Sequence, residues 1–349
     1  MPTATILGVP HAYDLWSPAP SSNPPEQQSQ HTTETIVFIH GWLLSRSYWQ
    51  PLIDELSTCQ AGQPAHYQYL TYDMRGFGES QPRLHEASSE QNHTSRAIPL
   101  PPGKNWYPNH SPNDNSPDDN SLNDDSPYRN DSFSLAAYAQ DLAALLDELK
   151  LDQVWLMGHS LGGSVALWAA YLFPTRVKGV LCLNAGGGIY IPKEFEKFRG
   201  AGQQMVKYRP QWLTKLPGLP RVFTRAMVHK PLALKWGQQR LQDFVCANRA
   251  AAEGALLAST TQAEVLQLPQ LMGELAQPVH FITATQDSIM PPRYVNYLAS
   301  FHSNFQKHCP QRMVAEIAEC GHMAMVEQPK AVANIVKAFV DGTGFDDIS

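Results

Sequence analysis

Ser160 stands in Gly158-His159-Ser160-Leu161-Gly162, a G-x-S-x-G pentapeptide at the junction of an apolar run and a helical run. Val154-Trp155-Leu156-Met157 reads as a buried strand, and Ser164 to Phe173 as a helix closed by Pro174. A turn that tight strains the serine backbone and presses the flanking positions against neighbouring chain; glycine on both sides removes the collision. The hydroxyl then projects above the sheet edge, beside a helix N-terminus whose free N–H groups point at the same spot. A serine hydroxyl is a weak nucleophile near neutral pH and needs a base held against it. The base needs a carboxylate to fix its tautomer and stabilise the imidazolium. Downstream, Asp287 follows the apolar run Val279–Thr283 and His322 follows Val314–Ala318, giving the chain order Ser, Asp, His. The blander readings are a packed loop histidine at 322 and a helix-capping aspartate at 287.

Strands and helices must bring these three residues to one edge. Residues 4–16 read as a short strand or hairpin, and Thr35–Ile39, Tyr67–Tyr72, Val177–Leu183 and Pro278–Thr283 as further strands. Helical patterns fall at Tyr48–Leu56, Phe133–Leu149 and Pro329–Val340; Leu135, Tyr138, Leu142, Leu145 and Leu149 form one stripe. Alternation of strands with helices predicts a parallel sheet wrapped by helices. An acid and a histidine just past strand ends then share the serine's sheet edge, where ligands bind in open α/β sheets.

Two segments break the alternation. The first, about 81–132, is too long for an ordinary connection and holds an imperfect five-residue repeat starting at Ser111, Ser116, Ser121 and Ser126. From Ser111 to Ser132 it carries six Asp and one Arg. Such short polar units cannot bury a core, so disorder is expected. The second, 186–271, is mostly helical and lies where a lid would be inserted. Ile191 to Ala250 carries twelve Lys and Arg against three acids, a local +9 in a chain of formal charge −6. Leu219, Val222, Phe223, Ala226 and Met227 fall at helical spacing with Arg221 and Arg225 opposite, and Trp212 and Trp236 lie nearby. One reading is a peripheral contact between this basic lid and an anionic membrane. The other is an apolar stripe packed over a pocket with its charges solvated. A further expectation is that the acidic repeat folds back over the basic lid.

The chain has 349 residues, 43% of them apolar, enough for one large α/β domain with insertions. The expected organisation is a core from 1–185, a lid from 186–271 and the rest of the core from 272–349. No run of apolar residues is long enough to span a membrane, and the start at Met1 lacks a basic and an apolar signal region. Five cysteines without framework spacing imply reduced thiols and a cytoplasmic location, with Cys182 as a core residue. Cys320 precedes His322 by two positions without other ligand spacing, so no metal or other cofactor is expected. Charge gives no reason to expect nucleic acid, and no protein partner follows from the sequence.

Four segments in order, His40-Gly41-Trp42, Asp73 to Ser80, Gly158 to Gly163, and the paired Asp287 and His322 loops, resemble the α/β-hydrolase superfamily. The resemblance covers nearly all of the chain outside the two insertions. It implies a mostly parallel twisted sheet of about eight strands flanked by helices, with a helical lid. It implies Ser160 as nucleophile, His322 as general base then acid, and Asp287 as its orienting partner. The implied oxyanion hole is the backbone N–H of Leu161 with that of Trp42, Leu43 being the alternative donor. His40 and His159 would support or pack the site, and Asp73 and Arg75 would fix a turn beside it. Asn184 sits where some relatives carry the acid, which an amide cannot replace electrostatically, and Thr285 stands where many have glycine.

The reaction so implied is hydrolysis of a carboxylic ester through an acyl-enzyme, on a hydrophobic or lipid-like small molecule. Acyl transfer, cofactor-free perhydrolysis and carbon–carbon bond hydrolysis use the same triad. Serine at the elbow argues against an epoxide hydrolase or haloalkane dehalogenase, and the lack of His-Gly-Gly-Pro-Gly at 40–44 against a proline iminopeptidase. From another class, a non-catalytic binding protein would have no need to keep serine, acid and histidine together.

Overall fold

Strands buried on both faces set the architecture of the computed structural model, which describes residues 2–17, 33–58, 67–81, 133–188, 190–307 and 313–342. The acidic repeat lies outside the described residues. β1 (Thr3–Ile6) and β2 (Val9–Trp16) form a leading hairpin. Its two-residue turn, Leu7-Gly8, takes positive φ at both positions (48° and 80°), which matches the twist of the paired strands. β3 (Glu34–Ile39) leads through a 3-10 turn at Arg46–Trp49 into α1 (Gln50–Thr58). β4 (Tyr67–Tyr72), α2 (Leu135–Glu148), β5 (Val154–His159), α3 (Leu161–Leu172) and β6 (Val177–Leu183) follow. Next come α4 (Pro192–Lys207), α5 (Leu219–Phe223), α6 (Leu234–Cys246), α7 (Arg249–Ser259) and α8 (Gln262–Glu274). The chain then runs through β7 (Val279–Ala284), α9 (Pro292–Ala299), α10 (Ser303–Lys307), β8 (Val314–Ile317), α11 (Ala324–Glu327) and α12 (Pro329–Val340).

The eight strands form one sheet in the order β1-β2-β4-β3-β5-β6-β7-β8. β1, β2 and β4 pair antiparallel, and every pairing from β4 to β8 is parallel. Alternate side chains of each strand feed two cores. Val37, Ile39, Val154 and Leu156 pack with α2 and α3, whereas Ile36, Phe38, Met157 and Ile282 pack with α1 and α12. On α12 the buried positions Val332, Ala333, Ile335, Val336 and Phe339 fall on one helical face. The sheet is thereby covered on both sides, and its strand ends are free to carry a site.

Two local expectations change. Helix α3 begins at Leu161 rather than Ser164, because Gly162 and Gly163, poor helix formers by propensity, are there to let the helix close on the sheet. A Cβ on Gly162 would sit 2.2 Å from the Ile39 carbonyl oxygen, and one on Gly163 2.4 Å from Ala185 Cβ. The apolar stripe from Leu219 to Met227 is not one helix. α5 ends at Phe223, and Met227 turns the chain with φ 61°, a left-handed conformation that no helix continues through.

Candidate active site

Ser160 occupies the turn between β5 and α3 with φ 51° and ψ −117°, a strained conformation for a residue with a side chain. The turn is held by two backbone bonds, Ser160 N–H to Leu183 O at 3.0 Å and Gly163 N–H to Ser160 O at 2.9 Å. A Cβ on Gly158 would meet the Gly162 carbonyl oxygen at 2.1 Å, so the flanking glycines are required by close approach. The same approach brings the N-terminus of α3 against the end of β3. Trp42, Ser160 and Leu161 line one pocket there. Neither Trp42 nor Leu43 spends its backbone N–H on a hydrogen bond among the described residues. The loop carrying them is braced by His40, which donates from Nδ1 to Gly41 O (2.8 Å) and accepts at Nε2 from Met74 N–H (2.9 Å). Burial lowers the His40 pKa, which suits a neutral ring serving one donor and one acceptor.

Asp287 and His322 meet, both almost fully buried, with His322 Nδ1 and Asp287 Oδ2 2.7 Å apart. The other carboxylate oxygen, Oδ1, accepts from Ile289 N–H at 2.8 Å and Met290 N–H at 2.9 Å. Asp287 is therefore both a local cap and the partner of the histidine, one oxygen for each. His322 Nε2 has no hydrogen-bond partner among the described residues. Thr285 keeps a negative φ, and its hydroxyl accepts from Glu319 N–H at 3.1 Å, so glycine is not needed at that point.

Several residues that hold the histidine were not singled out for that task by their spacing. The His322 carbonyl accepts from Asn184 Nδ2 (2.9 Å) and His159 Nε2 (2.8 Å), and Asn184 Nδ2 also reaches Gly321 O at 3.1 Å. Asn184 thus grips the backbone of the loop that carries His322 and leaves the imidazole to Asp287. The His159 ring lies 4.7 Å from the His322 ring, and burial, then the neighbouring His322, lowers its pKa well below the ordinary histidine value. It stays neutral and donates from Nε2.

From the segment between α5 and α6, Met227 O accepts from His322 N–H at 2.8 Å. Glu327 accepts from Gly321 N–H (2.6 Å) on one oxygen and from His229 N–H (2.8 Å) on the other. The turn supplying Met227 is gathered by buried Arg240, which donates to Phe223 O at 3.1 Å and to Ala226 O. Beside it, Asp243 accepts from Ser45 Oγ at 2.9 Å and Gln239 Nε2 at 3.0 Å, and burial pushes its carboxyl up to about 6. Asp73 and Arg75 do fix turns, through partners far apart in sequence: Asp73 pairs with Arg46, and Arg75 with Asp141 at 2.8 Å.

A pocket lies above Ser160 and is lined mostly by apolar side chains. Its far wall comes from the helices between β6 and β7: Phe195 and Phe198 of α4, Leu256 of α7 and Val265 of α8; Ile289 and Met290 follow Asp287. The Trp42 indole ties this wall to the loop that follows β3, donating to Ala252 O of α7 at 2.8 Å. Groups of His, Cys, Asp and Glu arranged to hold a metal are not found among the described residues.

A family model described as alpha/beta hydrolase fold matches residues 34–329. An uncharacterized protein of Mycobacterium tuberculosis is 28% identical over 221 residues, 60% of this chain and 62% of that protein. The chain thus spans less than two thirds of that relative's length. The 3-oxoadipate enol-lactonase 2 of Acinetobacter baylyi is 28% identical over 216 residues, 61% of this chain and 71% of the lactonase. The solved structure of a thermophilic esterase from Thermogutta terrifontis superimposes with a TM-score of 0.62 at 18% identity, covering 98% of this chain and 99% of the esterase.

Proposed function

The chain belongs to the alpha/beta hydrolase fold family, and from that premise we propose that it hydrolyses carboxylic esters through an acyl-enzyme on Ser160. The observation that carries the reading is the buried Asp287–His322 pair brought to the same sheet edge as a strained serine that opens into an apolar pocket. An ester or lactone relative, such as the enol-lactonase, fits the same reaction class.

Asp287 Oδ2 accepts the Nδ1 proton of His322 and leaves Nε2 as the basic nitrogen. His322 takes the Ser160 proton as Oγ attacks the ester carbonyl, then gives it to the departing alkoxide. Water activated by the same nitrogen releases the acid and regenerates the serine. The backbone N–H of Leu161 and that of Trp42 receive the oxyanion, a contribution of about 3–4 kcal/mol for each donor. The pocket's Phe195, Phe198, Leu256 and Val265 favour an apolar acyl or alcohol group.

The test is labelling by a fluorophosphonate probe, with hydrolysis of aryl esters of increasing chain length. Labelling and turnover in the wild type, both lost in Ser160→Ala, are the expected result. Turnover that survives Ser160→Ala would remove the proposal.

A further inference from the structure

From Lys197 to Gln242 the chain carries ten Lys and Arg and no Asp or Glu. Four of these cations have structural work. Arg199, Arg209 and Arg240 donate to backbone carbonyls, and Lys230 pairs with Glu319. Lys207, Lys215, Arg221, Arg225 and Lys235 are exposed and lack a carboxylate partner among the described residues. Interspersed with them are large apolar side chains left in solvent: Tyr208 is 64% exposed, Val222 62% and Trp212 57%, with Met205 and Leu216 also exposed. They belong to one stretch, the end of α4, the 3-10 turn Gln211–Lys215 and α5; that turn packs on α5 and α6.

Scattered exposed leucines need no explanation, but bulky residues gathered in one acid-free, basic stretch do. Apolar side chains among cations suit the interface of an anionic bilayer, and the amphipathic rings of tyrosine and tryptophan suit its headgroup level. The stretch is also joined to the pocket. Phe198 lines the pocket, and Tyr208 follows the end of the same helix, about 15 Å further along at 1.5 Å per residue.

We propose that the face from Met205 to Val222 docks on an anionic lipid bilayer, and that the ester entering the Ser160 pocket is drawn from it. The second half rests on the ester-hydrolase reading above; the first does not. Each exposed cation strengthens attachment to an anionic leaflet, and salt weakens it. Trp212 and Val222 supply the part of the binding that salt does not remove.

The experiment is co-sedimentation of full-length Ser160→Ala protein with vesicles of phosphatidylcholine, alone or mixed with phosphatidylglycerol. Binding is expected to the mixed vesicles and to fall with added salt. Neutralising Lys207, Lys215 and Arg221 to Gln should weaken it on the order of 100-fold, and Trp212→Ser or Val222→Ser about 10-fold. The same substitutions placed in the wild-type background should leave hydrolysis of a soluble short-chain aryl ester unchanged, which also checks that they fold. Equal, negligible sedimentation with both vesicles would overturn the docking. So would a dimer in solution that Trp212→Ser dissociates, which assigns the face to a second copy. Binding that emerges only after removal of residues 105–130 would assign it to that acidic segment. Vesicle binding by a wild type that no fluorophosphonate labels would remove the esterase reading and leave the docking intact.

Discussion

The backbone N–H of His322 donates to the carbonyl of Met227 at 2.8 Å, so the helical insertion helps to place the loop that carries the imidazole. The packing there is tight: a Cβ on Gly321 would stand 2.6 Å from His229 N. With Glu327 joining Gly321 and His229, the segment from Ala226 to Lys230 is a fixed brace for that loop. The exposed stretch from Met205 to Val222 lies just before it. One insertion thus contains an anchored part against the site and an outward part that touches neither Asp287 nor His322.

Replacing Arg240 tests the brace. Its guanidinium gathers the Phe223 and Ala226 carbonyls, and the turn they form presents Met227 to His322. Arg240→Gln should lower kcat on the order of 10²-fold, the effect of misplacing a catalytic group by about 1 Å, with a much smaller change in KM. Arg240→Lys, which keeps a cationic donor, should recover part of the loss. Steady-state kinetics alongside thermal melting separate the roles: a lowered Tm with unchanged kcat would make Arg240 a packing residue only.

Asp287→Asn should be more damaging to chemistry than to folding. An amide oxygen can still accept from Ile289 and Met290, so the local turn survives. Under the proposed mechanism the histidine loses the carboxylate that fixes its tautomer, for which a kcat loss of about 10⁴-fold is typical. Fluorophosphonate labelling should slow in parallel. Retention of more than a tenth of wild-type turnover would deny Asp287 the orienting role.

Gly162→Ala should disrupt the elbow from its helical side, although alanine is the better helix former. The added Cβ meets the Ile39 carbonyl at 2.2 Å and the His40 carbonyl at 2.6 Å, both backbone atoms that cannot swing away. Over-packing of this kind costs about 1–3 kcal/mol. A melting curve unchanged from wild type would show that α3 can retreat from β3 without penalty.

Much of this was legible in the sequence because it is written in local pattern. Near-continuous apolar runs mark buried parallel strands, and the limits of β4, β6 and α12 fall where their residue types place them. Asp287 and His322 are legible because each follows a strand end in a fixed order. Met227, by contrast, acts through its carbonyl, an atom common to every residue, and no side-chain pattern announces it. Arg240 looks like one more surface cation in a basic segment until the fold buries it. The expected stripe from Leu219 to Met227 misled because spacing reports period and not the left-handed turn that ends the helix.

Rising pH should loosen the wall of the pocket formed by α8. Burial pushes the Glu264 carboxyl up to about 7 even though the Trp168 indole of α3 donates to it. Its pKa is therefore higher folded than unfolded, so the folded chain binds more protons between about pH 4.5 and 7. Stability contributed by this group is present at low pH and is lost as pH rises through that window. The slope is at most about 1.4 kcal/mol per pH unit. Asp243, pushed up to about 6 by burial, acts with the same sign. Glu264→Gln keeps an acceptor for Trp168 and cannot ionise. Urea unfolding at pH 5, 6, 7 and 8 should give a shallower decline for the variant, with its advantage over wild type greatest at pH 8. Parallel declines for the two proteins would mean that Glu264 ionises in the folded chain without cost.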